Sequence, residues 1–282
     1  MRLVVLVTGA NGQVGQSIQF IADNYPQIDF VFCDSKSLDI TESSSIEAVF
    51  KEIKPDFCVN TAAYTAVDQA ESQVEQAFAI NASGAKNLAK ACATFKTILI
   101  HISTDFIFDG QSQTPYTEVS FPNPQSIYGQ SKLDGEIAIQ ECLKDYFIVR
   151  TSWVYSQFGS NFKKSMLRLA TEREQLSVVN DQIGTPTNAV DLAEVVVHII
   201  LYTVENPEKN RFGVYHFSNE GQCSWFEFAQ KIFEVNSVSI ALNPIPSSSY
   251  PTPAQRPKYS VLDKSKIKKA FNITIKTWDK AL

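Results

Sequence analysis

Short, continuous apolar runs alternate along the first half of the chain with longer stretches whose apolar positions recur at helical spacing. "LVVLV" (residues 3–7) is a β-branched run that enters glycines and then the helical pattern "QSIQFIADNY" (16–25). "DFVFCD" (29–34), the helix "SSSIEAVFKEIK" (43–54) and "PDFCVNTAA" (55–63) complete a β-α-β-α-β order. A long helix is predicted over "ESQVEQAFAINASGAKNLAKACATF" (71–95), then a strand in "KTILIHIST" (96–104), a helix in "PQSIYGQSKLDGEIAIQECLK" (124–144) and a strand in "YFIVRTS" (146–152). Strands without polar alternation, joined by helical crossovers, predict a parallel sheet covered on both faces. The expected fold class is therefore α/β, a doubly wound Rossmann arrangement.

Beyond Thr151 the rhythm loosens. "FKKSMLRLATE" (162–172), the strongly apolar "AVDLAEVVVHIILYTV" (189–204), "SWFEFAQKIFEV" (224–235) and "KSKIKKAF" (264–271) read as helices. "LSVVND" (176–181) and "FGVYHFSN" (212–219) read as strands, and the Pro/Ser-rich "NPIPSSSYPTPAQRPKYSVLD" (243–263) as a long ordered loop. We expect a dinucleotide-binding domain over 1–152 and a smaller, mainly substrate-binding lobe over 153–282, some of whose segments fold back onto the large sheet.

Composition narrows the class. A chain of 282 residues with 44% hydrophobic residues has ample material for a large core. A net charge of -5 lacks the basic excess that phosphate-backbone binding demands, so no nucleic-acid partner is expected. No run approaches the roughly 20 apolar residues of a membrane span, and the short apolar N-terminus runs straight into glycines instead of a cleavage site. The five cysteines, Cys33, Cys58, Cys92, Cys142 and Cys223, are widely spaced with no CxxC, which suits buried reduced thiols and a cytoplasmic location.

The chemistry starts at "VTGANGQVGQ", where Gly9, Gly12 and Gly15 follow a strand and open a helix. Such a loop turns tightly at the first glycine, lets a pyrophosphate approach at the second, and packs helix on strand at the third. Asn11, Gln13 and Val14 lie within it. Asp34 ends the second strand, where a carboxylate would accept from an adenosine ribose, while Lys36 beside it could admit a 2′-phosphate; NADH and NADPH both stay open. Asp39 and Ile40 follow at a spacing suited to the adenine edge. Ala62, Ala63 and Tyr64 end the third strand in "NTAAY", whose small residues leave room for a dinucleotide against the backbone.

Tyr128 and Lys132 are four positions apart on a predicted helix, hence on one face at about 5 to 6 Å between Cβ atoms. A free tyrosine has a pKa of about 10, so proton exchange near neutrality needs a cation to stabilise its phenolate. Thr104, at the carboxyl end of the strand in "TILIHISTD", could hydrogen-bond a carbonyl oxygen while Tyr128 protonates it. An indole just past a strand end, Trp153, can pack on a sugar or base face. Asn161 and Arg256 could supply the donor and the cation that a buried diphosphate requires.

Through "TGANGQVG", "STD" and "YGQSK" the chain resembles the extended short-chain dehydrogenase/reductase family. "NTAAYTAVDQAE", "DQIGTPT" and "RPKYSVLD" extend the resemblance over nearly the whole chain, to its branch that completes dTDP-L-rhamnose. The resemblance implies reduction of the C4 keto group of dTDP-4-dehydro-L-rhamnose by NADPH or NADH, with Tyr128 as proton donor, Lys132 lowering its pKa and binding the nicotinamide ribose, and Thr104 orienting the carbonyl. It places the cofactor on Gly12, Gln13, Val14, Asp34, Asp39, Ile40, Ala62, Ala63 and Tyr64, and the substrate on Thr104, Asp105 and Trp153. Two positions depart from the pattern. Ile102 stands where the family often has tyrosine. Ser17 stands where some members carry a glutamate for magnesium at a dimer interface, so no metal is expected, and either a monomer or a homodimer. The alternatives are a reductase or epimerase of another nucleotide-linked 4-keto sugar, and a non-catalytic NADP-binding subunit related to that of methionine adenosyltransferase.

Overall fold

The computed structural model describes residues 2–209 and 211–282. The N-terminal part runs β1 (Leu3–Thr8), α1 (Gln13–Ile21), β2 (Ile28–Cys33), α2 (Ser43–Ile53), β3 (Phe57–Asn60), α3 (Val67–Ala70), α4 (Val74–Phe78), α5 (Ala85–Phe95), β4 (Ile98–Thr104), α6 (Ile127–Cys142) and β5 (Tyr146–Thr151). It continues with β6 (Val154–Tyr155), α7 (Phe162–Glu172), β7 (Gln175–Val179), β8 (Ile183–Gly184), β9 (Thr187–Asn188) and α8 (Ala189–Glu205). The last elements are β10 (Gly213–His216), β11 (Cys223–Ser224), α9 (Trp225–Val235), β12 (Ala241–Ile245) and α10 (Ser265–Phe271).

Six strands form one parallel sheet in the order β10-β5-β4-β3-β1-β2. Its apolar strands are sandwiched between two cores, as their lack of alternation predicted. One core packs Val5, Val7, Ile100 and Val149 against Ile18 of α1, the apolar α8 and Phe271 of α10; the other packs Leu6, Cys58, Leu99 and Ile148 against α2, α5 and Ile139 of α6. The fold is thus the doubly wound Rossmann arrangement. Strand order reverses between β1 and β3, the point outside whose carboxyl ends such sheets bind ligands.

Helices α8 and α10 and strand β10 lie on this large sheet although they come from the second half of the chain. The remaining late elements form a smaller lobe. β7 pairs with β12, β8 with β11 and β6 with β9, around a cluster of Tyr155, Met166, Leu176, Phe228 and Ile232. The stretch read as a loop over 243–263 therefore begins inside a strand: Asn243, Pro244 and Ile245 continue β12 beside β7. Pro244 is accommodated because β12 is the outer strand of a two-stranded pair. The helix predicted over 71–95 runs from Val74 to Phe95, with its middle, Ala79–Gly84, wound as a π turn between α4 and α5.

Candidate active site

The glycine loop forms a cradle between β1 and α1. Gly9 has φ +68°, and a Cβ there would lie 2.5 Å from the Ala62 nitrogen; one on Gly15 would lie 2.6 Å from the Gly9 oxygen. Gly12 is the N-cap of α1 and offers no side chain, so the first N–H groups of a nine-residue helix have no side-chain cap. Their dipole and free donors suit a pyrophosphate. Asp34, at the end of β2, accepts from Asn11 Nδ2 (3.0 Å), the Lys36 and Ser37 amides (3.0 Å each) and the Ser37 hydroxyl. The Ser37 amide and hydroxyl, then the Lys36 amide, hold its carboxyl below the usual range. Asp39 accepts from the amide and hydroxyl of Thr41, and Ile40 packs on Gly84 of the π turn. Tyr64 is held at both backbone groups by Asn81 of that turn, which also donates to Ser131 of α6.

Across the carboxyl end of β4 stand the three residues of the expected trio. Helix α6 starts at Ser126, whose side chain accepts from the Gly129 amide, and this cap directs Tyr128 and Lys132 toward β4. Thr104 is buried, and its hydroxyl faces Tyr128. Part of the Tyr128 ring reaches the cleft and rests edge-on against Phe106, with ring centres 5.5 Å apart. The surrounding protein pushes its hydroxyl up to about 12; the Thr104 hydrogen bond pulls down, and the charge of Asp105 pushes up. Lys132 is buried too, and desolvation brings its ammonium down to about 8 against the opposing pull of Glu136. Lys132 Nζ donates to the Ile102 carbonyl at 2.7 Å.

Asp105 accepts from Thr104 at 3.1 Å, while its other oxygen, Oδ2, is buried. Burial raises this carboxyl to about 6, against the lowering effect of the facing Ser260 and Thr104 hydroxyls. Ser260 Oγ is likewise buried and faces this carboxyl, so the two make a buried polar pair beside Thr104. Ser260 lies within the quoted "RPKYSVLD", yet nothing in its residue type marked it.

Two buried polar groups behind the trio also escaped the sequence reading. His101 of β4 lies between Asn60 of β3 (2.9 Å) and Lys132 (3.1 Å). Glu136, one turn beyond Lys132, makes a forked ion pair with Arg150 of β5 and accepts from Ser103. Their signal was only that a histidine, a glutamate and an arginine occupy positions that the helical and strand patterns turn inward.

Trp153 sits in the left-handed region at φ +47° and stacks on Trp225 of the second lobe at 3.5 Å between ring centres. Gly184 leaves room for its indole, since a Cβ there would meet the ring at 2.5 Å. Asn161 caps α7 and donates to the Gln13 side chain at 3.0 Å. Gln13 in turn donates to the Val154 carbonyl, so it ties the glycine loop to the second lobe. Arg256 reaches back across the cleft to a forked pair with Asp68 of α3, at 2.9 Å on each arm. Its guanidinium lowers Asp68. Arg256 and Asn161 are thus at the cleft but bound to protein partners.

Among the described residues no helix is long and apolar enough to cross a membrane, and all five cysteines are free. A sequence model described as the RmlD substrate binding domain matches residues 1–282. The dTDP-4-dehydrorhamnose reductase of Sinorhizobium fredii is 39% identical, with 100% of this chain and 95% of the relative aligned. The spore coat polysaccharide biosynthesis protein SpsK of Bacillus subtilis is also 39% identical, over 99% and 95%. The crystal structure of dTDP-4-dehydrorhamnose reductase from Bacillus anthracis in complex with NADP superposes with a TM-score of 0.94 at 40% identity, covering 100% of this chain and 97% of that one. With these matches over its whole length, the chain belongs to the RmlD family of dTDP-4-dehydrorhamnose reductases.

Proposed function

We propose that this chain reduces the C4 keto group of dTDP-4-dehydro-L-rhamnose to the alcohol of dTDP-L-rhamnose, using NADPH or NADH. The observation that carries this reading is that Thr104, at the carboxyl end of β4, faces Tyr128 of α6, in the same parallel sheet whose β1 leads into the uncapped N-terminus of α1. A bound nicotinamide supplies the hydride. Thr104 donates toward the keto oxygen, and Tyr128 gives its proton to that oxygen as the carbonyl carbon is reduced. Together one hydride and one proton convert the ketone to the alcohol. Lys132, one turn away, stabilises the resulting phenolate once charged and close to it. Asp105 and Ser260, paired beside Thr104, are suited to hydroxyls of the sugar ring. Arg256 exchanges Asp68 for the diphosphate, and Asn161 supplies a donor when Gln13 turns to the cofactor.

The Trp153 indole forms a wall for the sugar or base, with Trp225 behind it. The reaction belongs in the cytoplasm, where nucleotide sugars and reduced nicotinamides are available.

Turnover is read from loss of reduced-nicotinamide absorbance with enzymatically prepared dTDP-4-dehydro-L-rhamnose, each cofactor in turn. The native chain should turn over, and Tyr128→Phe should lose about 10²- to 10⁴-fold in kcat with little change in KM. An inactive native chain would refute the substrate, and a fully active Tyr128→Phe would refute the role of the phenol.

A further inference from the structure

The row of buried hydrogen bonds behind Lys132 has a direction. Asn60 Oδ1 accepts from the Thr8 hydroxyl at 2.7 Å and from the Ala62 amide at 3.1 Å. A backbone N–H can only donate, so the amide oxygen of Asn60 is fixed at that end and its NH2 faces His101 Nδ1 at 2.9 Å. Nδ1 is therefore an acceptor, and the single proton of the neutral imidazole is on Nε2. Nε2 lies 3.1 Å from Lys132 Nζ. An ammonium has three donors and no acceptor, so a charged Lys132 here would force two hydrogens into one contact. A doubly protonated His101 only moves the clash to Asn60. An uncharged amine removes the conflict, accepting from Nε2–H while donating to the Ile102 carbonyl at 2.7 Å. Water cannot relieve it, because Asn60, His101 and Lys132 are all buried.

We propose that His101 is a positioning residue that holds Lys132 as an uncharged amine in the cofactor-free enzyme, so that the lysine takes up a proton from solvent when the nicotinamide cofactor binds. The ribose of the cofactor and the Tyr128 oxygen then offer acceptors that His101 does not. This rests on the reading that Lys132 serves that cofactor. The other groups around the lysine do not reverse the outcome. Glu136 on its own helix is committed to Arg150 of β5 and Ser103 of β4. Glu71, following α3, accepts from the Ile127 amide. Tyr64 donates to Gln73, and Asp105 lies beyond Tyr128. Burial works in the same direction, bringing Lys132 down to about 8, so that the uncharged amine predominates above that pH, where the binding test is made.

The test begins with 15N NMR of the three histidines in the cofactor-free protein. His101 should show the Nε2–H tautomer; an Nδ1–H tautomer would overturn the proposal whether or not the chain is a reductase. Calorimetric titration with NADPH at about pH 9, in two buffers of different ionisation enthalpy, should then show uptake approaching about one proton per cofactor bound. Asn60→Asp gives the discriminating variant. A carboxylate at that position accepts from Nδ1–H, turns Nε2 into an acceptor and lets the ammonium stay charged. In it the uptake should vanish and log Kd should become flat with pH. Cofactor binding without proton uptake by the native chain, or uptake unchanged in Asn60→Asp, would overturn the proposal and leave the assigned reaction untouched.

Discussion

Lys132 and Glu136 are one turn apart on α6, and each is anchored to a different strand: Lys132 to β4 through His101 and Ile102, Glu136 to β5 through Arg150. The side chains of Glu136 and Arg150 are 0% and 5% exposed, so removing one partner leaves an uncompensated buried charge. Glu136→Ala is therefore expected to cost about 3–5 kcal/mol, read as a lowered urea midpoint with unchanged slope. A cost below about 1 kcal/mol, the range of exposed pairs, would show the pair to be dispensable. The proposed reacting residues were easier to read than the groups behind them. Tyr128 and Lys132 stand at a fixed helical spacing and Thr104 at a strand end, whereas Asn60, His101, Glu136, Arg150 and Ser260 are related only by contacts across 14 to 41 residues or by a facing surface. No local pattern records such pairings.

At the level of the element, α6 owes its position to missing side chains. A Cβ on Gly129 would lie 2.2 Å from the Phe106 carbonyl, and one on Gly135 would lie 2.2 Å from that of Asn81. These glycines cost helix propensity but bring α6 against the turn after β4 and against the π turn. Gly129→Ala must push the helix off Phe106, carrying Tyr128 away from Thr104. We expect a loss on the order of 10²-fold in kcat, as for a 1 Å misplacement, with the far-ultraviolet circular dichroism preserved. Activity within twofold of native would mean that the helix can shift without consequence. The sheet strands and long helices were legible because periodicity is a local property. The π turn was not, because "AINASGAK" carries helix-compatible spacing and reveals its π winding only through what Asn81 does at Tyr64 and Ser131. β12 was missed because Pro244 argues against a strand until its outer position is known.

For the molecule as a whole, burial of titratable groups sets the acid limit of stability. His216 is pressed down to about 3, mainly by burial and further by Arg150, and His101 is held well below its ordinary value, mainly by burial. Below about pH 6.5 the unfolded chain therefore binds protons that the folded chain refuses, and stability falls as pH falls. Asp105, raised to about 6, and Glu118, raised by burial, work the opposite way, since the folded chain takes their protons first. The two histidines prevail. Between pH 7 and 5 the unfolding free energy should drop by on the order of 2 kcal/mol, and an unchanged urea midpoint over that range would contradict the burial of neutral imidazoles. The same two-part architecture has an optical side. The chain has only three tryptophans, and two of them, Trp153 and Trp225, lie face to face at 3.5 Å and 10°. Indole transitions held so close couple as an exciton pair, giving a split circular-dichroism band that depends on one dihedral relation in the second lobe. The protein thus carries its own chromophore dimer in the second lobe, and the shape of that band reports, without any added label, whether that lobe is assembled.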